Sequence, residues 1–368
     1  MNPSQHHVSE SGPTDRPRVL VYGIYGYTGA LVGRESVCRG LNITVAGRDR
    51  ARTEAAARDL GVPARVVALD DAAALDAALA DIDIVAHCAG PYERTSAPMV
   101  DACLRTGTQY LDLTGEADVF ESIYQRDSDA RAAGIALVPG VGFDVVPTDH
   151  LAAVAILELP GATSADVAVI SRGGFSRGTL TTALLGMAAG NKVRSEGRFV
   201  PTAHSHRIIT VDLPGSRKTT VGSTPLGDLA SAARTAGLRN VTTFTALPGA
   251  AMLRRFDVPM RRFLGLRGVG EALEKLLSAV PGPSEEARAR TRSAGWVRLT
   301  DDAGRSVVRS IEVDNTYAFT AKSMVQAVFA LSARPVVGAL TPSQAFGADF
   351  IDTIPGVELI RGIVADVS

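Results

Sequence analysis

Apolar and polar positions first organise this chain at residues 18–22, where Arg18 leads the uninterrupted run Val19-Leu20-Val21-Tyr22. A short apolar run bounded by turn residues reads as a buried strand. The run breaks into Gly23-Ile24-Tyr25-Gly26-Tyr27-Thr28-Gly29, and apolar residues then resume at helical spacing as far as Arg39. This predicts strand, tight turn, helix. The same alternation recurs, with strands predicted at 41–46, 64–69, 82–88, 108–113 and 135–138, and helices at 71–80, 96–106 and 119–133. Repeated β-α units imply an α/β fold of Rossmann type, a doubly wound parallel sheet, over residues 17–150.

Beyond residue 160 the alternation stops. Strands are predicted at 164–171, 207–213, 218–222 and 241–247, with helices at 179–189 and 227–236. Segments 296–300 and 306–315 flank Asp301-Asp302-Ala303-Gly304, a turn signal that predicts an antiparallel hairpin. A second, mixed α+β substrate domain is therefore expected over 151–368, with a further helix at 321–333.

The glycines give the first domain its chemistry. Gly23, Gly26 and Gly29 have the spacing of a turn that lets a pyrophosphate approach a helix N-terminus. Gly23, Tyr25, Gly26, Tyr27, Thr28 and Gly29 are accordingly candidates to line a dinucleotide. The second strand ends at Gly47-Arg48, about twenty residues further on, where such folds read the adenosine ribose. An acid there would accept from a free 2′-hydroxyl, whereas Arg48, with Arg50 and Arg52 close behind, suits a 2′-phosphate. The expected cofactor is NADP, as NADPH, rather than NAD. Asp70 follows the third strand within reach of an adenine, although it is also placed as a solvated cap. Ala89, Gly90 and Pro91 end the fourth strand beside the expected nicotinamide half.

Length and composition agree with two globular domains: 368 residues, 46% hydrophobic and 21% charged, with a net charge of −1. That balance offers no global attraction to nucleic acid. Cys38, Cys88 and Cys103 form no C-x-x-C pair, so neither a disulfide framework nor a metal site is expected. Residues 1–16 read as a disordered polar arm without the apolar core of a signal peptide. No apolar run approaches the roughly eighteen residues that span a bilayer. A cytoplasmic location is expected, with peripheral membrane contact as a further possibility.

The sequences GIYGYTG, AGR, AGPY, YLDLTGE and GFDVVPTD, in this order and spacing, resemble the saccharopine dehydrogenase-like oxidoreductases, especially the bacterial trans-acting enoyl reductases. Residues 173–180, 281–284 and 342–347 also look like that branch. The chain departs from the pattern at Ile24-Tyr25, where an alanine is more usual, and the larger side chain is expected to reshape the pyrophosphate side of the pocket. The resemblance implies that the 321–333 helix returns to the dinucleotide domain. It also leaves several reactions open. The first is hydride transfer from NADPH to a conjugated C=C bond of a lipid, polyketide or isoprenoid-like substrate. The second is C–N oxidoreduction of an imine or secondary amine, and the third is a non-catalytic partner that keeps the fold.

Reduction of a conjugated double bond needs a proton donor as well as a hydride. Tyr92, beside Gly90-Pro91, is the first candidate, with Asp112, Asp144 and Glu116 next; the carboxylates also read as loop caps. His87, Cys88 and Cys103 read as packed residues. In the apolar, arginine-rich segment 252–280, Arg254 and Arg261 are seven apart, as are Arg255 and Arg262. Each pair lies along one face of a helix. The bland reading is a solvated cationic face. The functional readings are an acyl carrier protein, an acidic substrate or a membrane surface.

Overall fold

The computed structural model describes residues 16–215, 217–246, 254–264, 266, 268–277 and 282–367. Its first sheet is built from β1 (Arg18–Tyr22), β2 (Asn42–Gly47), β3 (Ala64–Val66), β4 (Ile84–His87), β5 (Gln109–Asp112) and β6 (Ala136–Val138). A short strand, Gly338–Ala339, completes seven strands, all parallel, in the order Gly338–Ala339, β6, β5, β4, β1, β2, β3. The order reverses between β1 and β4, which opens a crevice at their C-terminal ends. After Arg18, strand β1 is apolar because both faces are covered: Val19 and Val21 join one core cluster, Leu20 and Tyr22 the other. Burying each such side chain contributes about 1.5–3 kcal/mol.

The connecting helices are α1 (Tyr27–Cys38), α2 (Arg50–Leu60), α3 (Ala72–Leu79), α4 (Tyr92–Thr106), α5 (Ala117–Tyr124) and α6 (Asp127–Ala133). The single helix expected over 119–133 is thus two, separated at Gln125-Arg126. The helix expected from residue 96 begins four residues earlier, at Tyr92. After β6 the chain enters α7 (Val146–Glu158), a helix absent from the sequence reading. It is nearly all buried, from Val146 to Ala153 and again at Ala155, so it shows no polar face and no helical period.

The second sheet is mixed. It runs through Ile208–Leu213, Arg217–Ser223, Asn240–Thr245, Ala162–Ile170, Ser293–Asp301, Ser306–Val313 and Ile360–Val367, with Asn191–Ser195 and Arg198–Thr202 paired at one side. The expected hairpin is present. Asp301 holds its turn, its Oδ1 accepting from the amides of Ala303 at 3.0 Å and Arg305 at 2.9 Å. Helix α7 packs between the sheets, against Ser293–Asp301 and against helix Asp228–Ala236. Helix Thr316–Ala333 lies on α1, where Arg39 donates to Gln326 at 2.7 Å and its guanidinium sits 4.6 Å from the Phe329 ring centre.

Candidate active site

The crevice begins where β1 ends. Gly23 turns the chain with φ at +86°, a conformation favouring glycine, and a Cβ at Gly29 would lie 2.2 Å from the Gly23 carbonyl oxygen. Helix α1 therefore starts directly against the turn. Gly26 caps it with no side-chain hydrogen bond, so no capping side chain competes for the first-turn amides of Tyr27, Thr28 and Gly29. Such amides, with the helix dipole behind them, favour an anion.

The end of β2 is shaped by the residues that depart from the usual pattern. Ile24 is fully buried beneath α1. Tyr25 lies over the end of β2: a Cβ at Gly47 would come 2.5 Å from its ring, so any larger residue there would have to displace the ring. The Arg52 guanidinium stacks 4.4 Å from the Tyr25 ring centre and donates to the Tyr25 carbonyl at 3.2 Å. The bulk expected against the pyrophosphate is thus turned over Gly47. Arg50 pairs with Glu54 at 3.1 Å, and Asp49 caps α2 by accepting from the Arg52 amide at 3.0 Å. Arg48 is exposed and makes no hydrogen bond or ion pair among the described residues. Asp70 is also exposed, past the end of β3.

At the end of β4, Ala89 packs against Gly23, and its carbonyl accepts from the Thr95 hydroxyl at 2.6 Å. Pro91 caps α4, with Gly90 before it, so Tyr92 is the first residue of a helix and not part of the loop. Its side chain is turned into the core. The hydroxyl donates to the His87 carbonyl at 3.2 Å, the ring meets His87 edge-on at 5.4 Å, and burial pushes the phenol well above its usual pKa. His87 itself is buried and pushed down to about 3 by desolvation, which keeps it neutral.

The three acids divide by their partners. Asp112 is fully buried: Oδ1 accepts from the amides of Thr114 at 3.0 Å and Gly140 at 2.8 Å, and Oδ2 from the Tyr110 hydroxyl at 2.7 Å. Burial lifts it to about 6 against those bonds; Oδ1 ties the Thr114 and Gly140 loops together, and Oδ2 is held by Tyr110 of its own strand. Glu116 accepts from the amides of Tyr92 at 3.0 Å and Glu93 at 2.7 Å, closing the N-terminus of α4. Asp144 differs. It accepts no hydrogen bond among the described residues, lies against Gly115, and remains open to solvent within the crevice. Although its side chain is exposed, the protein packed around the crevice withdraws enough water to raise its pKa, to about 6, with desolvation the sole cause.

The second domain reaches this crevice at Tyr27. The Tyr27 hydroxyl donates to the Pro283 carbonyl at 2.5 Å and accepts from Arg288 at 2.8 Å, while the Tyr27 ring meets Tyr317 edge-on at 4.9 Å. Tyr317 in turn accepts from the Ser176 amide at 2.5 Å. On the opposite side, Arg194 pairs with Glu121 at 2.7 Å and Lys192 with Asp118. Sequence reading passed over Arg288 and Tyr317. Nothing local marks either residue, and each meets Tyr27 from more than 250 positions away in the chain.

Residues 19–138 match the family described as the saccharopine dehydrogenase NADP binding domain. That span is an NADP-binding domain of the saccharopine dehydrogenase type. Among its relatives is a trans-acting enoyl reductase of Mycobacterium ulcerans (strain Agy99), 33% identical over 139 residues, or 36% of this chain and 33% of that protein. Another is a saccharopine dehydrogenase-like oxidoreductase of Bos taurus, 30% identical over 151 residues, covering 36% of this chain and 35% of that protein. The matched region spans about a third of the length of these relatives. Two solved structures share the whole architecture. Apo saccharopine dehydrogenase (L-Glu forming) from Saccharomyces cerevisiae has a TM-score of 0.62 at 15% identity, covering 95% of this chain and all of that one. The homospermidine synthase of Legionella pneumophila, in complex with NAD, has a TM-score of 0.63 at 11% identity, covering 95% and 91%. At these identities the likeness is one of fold. Residues 19–138, which hold the first sheet from β1 to β6, thus match the NADP-binding domain of an oxidoreductase family, and the second sheet completes the larger fold. The uncapped start of α1 and the unengaged Arg48 fit the pyrophosphate and 2′-phosphate of that cofactor. Among the described residues no helix is long and apolar enough to cross a membrane.

Proposed function

We propose that this protein is an NADPH-dependent reductase of a conjugated C=C bond in an apolar, enoyl-type substrate, with Asp144 holding the proton. The reading rests on one observation. Asp144 is an exposed carboxyl at the crevice, set against Gly115, with no hydrogen-bond donor among the described residues. NADPH, when bound, supplies the hydride. The glycine turn would hold its pyrophosphate and Arg48 its 2′-phosphate, while Ala89, Gly90 and Pro91 would border the nicotinamide. The hydride would add at the β-carbon of the conjugated bond, and Asp144 would deliver the proton to the α-carbon or the carbonyl oxygen of the resulting enolate. Asp112 and Glu116, engaged with backbone amides, would position the loops. The trans-acting enoyl reductases among the relatives support this choice of substrate class. The test is NADPH consumption by the purified protein with a panel of enoyl thioesters, conjugated lipids and imines. Turnover of the thioesters or lipids is the expected result. Turnover of imines alone would transfer the protein to C–N chemistry, and NADPH binding without turnover of any class would make it a non-catalytic binding protein.

A further inference from the structure

The segment 254–277 is unlike the rest of the surface. Phe256, Val258, Phe263 and Leu266 are 51%, 54%, 56% and 58% exposed. Bulky apolar residues gathered this closely on an exterior mark an interaction site. The segment is not loose. Asp257 is buried, and its carboxylate accepts from the His204 amide at 3.1 Å and from His204 Nδ1 at 2.5 Å, pinning the start of helix Asp257–Leu264. Arg261 reaches across the end of α8 (Arg177–Ala189) and donates to the Ala189 carbonyl at 3.3 Å. It caps that helix, and so it leaves the cationic group expected from the sequence. Arg254, Arg255 and Arg262 remain exposed, with no hydrogen bond or ion pair among the described residues. The segment as a whole has six basic residues against three acidic ones in a chain of net charge −1, and one of those acids, Asp257, is committed to His204.

We infer that this face docks the protein on an anionic lipid surface, with Phe256, Val258, Phe263 and Leu266 entering the headgroup boundary and Arg254, Arg255 and Arg262 meeting lipid phosphates. A surface segment that exposes bulky apolar and unpaired basic side chains together binds in this way. The acidity of a carrier protein would answer only the arginines, whereas an anionic lipid surface offers phosphates and an apolar interior to the two halves of the patch at once. Helix α8 gives the docking a purpose. It is apolar in composition, and none of its described residues is fully buried. It spans about 20 Å from Arg261 at its end to Ser176, next to Tyr317 and the crevice, at its start. A substrate with a long apolar chain would travel along it out of the membrane.

The docking does not rest on the reductase reading, because it is measured without NADPH or substrate. The full-length protein would be floated with vesicles of phosphatidylcholine alone or with about one-third phosphatidylglycerol, at low and high salt. Binding to the anionic vesicles, weakened by salt, is expected. The triple variant Arg254→Gln, Arg255→Gln, Arg262→Gln should lower partitioning by about 100-fold, and the double variant Phe256→Ser, Phe263→Ser should abolish flotation at either salt. Because all five side chains are exposed, unchanged melting temperatures are expected; should the phenylalanine variant unfold, the arginine variant decides. Failure of the wild type to float, flotation of either variant at wild-type strength, or saturable binding of an acyl carrier protein in place of vesicles would overturn the inference.

Discussion

Replacing Asp144 by Asn keeps the shape of the side chain and removes its proton. The carboxyl is lifted from 3.8 to about 6 by desolvation, with no hydrogen bond opposing the rise. A raised carboxyl pKa means that the acid form survives to higher pH. At pH 7 about one Asp144 in ten would carry a proton, against about one in 1,500 for an unperturbed aspartic acid. The crevice thus enriches the proton donor about 100-fold at neutral pH. If this proton reaches the substrate, kcat/KM for reduction should be flat below pH about 6 and fall about tenfold per pH unit above it. Asp144→Asn should lower turnover by about 10²- to 10⁴-fold and flatten that profile. NADPH affinity should not change, since Asp144 bonds to no residue of the glycine turn. The assay is NADPH oxidation across pH 5–9 with a substrate the wild type accepts, alongside calorimetric titration of NADPH. A variant that keeps the wild-type pH profile would refute the assignment even if its rate fell, because a lost packing contact can slow turnover but does not remove a titration.

Arg48→Ala should weaken NADPH by about one to two decades, the value of roughly 1.5–3 kcal/mol for a charged hydrogen bond, and leave NADH unchanged in calorimetry. Equal losses would show that Arg48 does not read the 2′-phosphate. Tyr92→Phe should lower stability by about 1 kcal/mol, through loss of the bond to His87, with turnover intact. A fall in turnover of about 10²-fold at unchanged stability would return the phenol to the chemistry. For Asp112, raised from 3.8 to about 6, the folded state is favoured most where the acid is protonated, and that advantage is lost as pH rises through about 6. Urea unfolding at pH 4 and pH 7 should therefore show Asp112→Asn losing up to about 3 kcal/mol less than wild type between the two.

The parallel sheet was legible because each strand is short, apolar and closed by a turn, and the two faces of β1 feed two cores. Helix α7 was not, for the opposite reason: a helix buried on every side has no period to read. The short strand Gly338–Ala339 was equally hidden. Two residues carry no pattern, and the strand exists because Gly338 and Leu340 donate to the carbonyls of Ile135 and Leu137, each at 2.9 Å, extending a sheet whose other strands lie two hundred residues earlier.

The site was legible where its chemistry is backbone chemistry and obscure where it depends on partners. The glycine turn and Arg48 are picked out as candidates by spacing, since both follow one strand-turn-helix unit and the strand beside it. Tyr92 was misplaced because the start of α4 lacks a local capping side chain. Its first amides are held by Glu116, more than 20 residues away, so the sequence marks the helix only where its apolar pattern becomes regular. That shift of four residues turns the phenol from a loop over the crevice into a residue of the core. Asp112 and Asp144 show the same limit more sharply. Both are aspartates near strand ends, both are raised to about 6, and neither spacing nor neighbours separates them. The separation lies in where the donors are. Three donors converge on Asp112, so its carboxylate is a fixed acceptor holding Thr114, Gly140 and Tyr110 in place. No donor reaches Asp144. A carboxyl raised by burial against its own hydrogen bonds is a structural joint, whereas one raised with nothing bonded to it is free to give its proton to whatever enters the crevice.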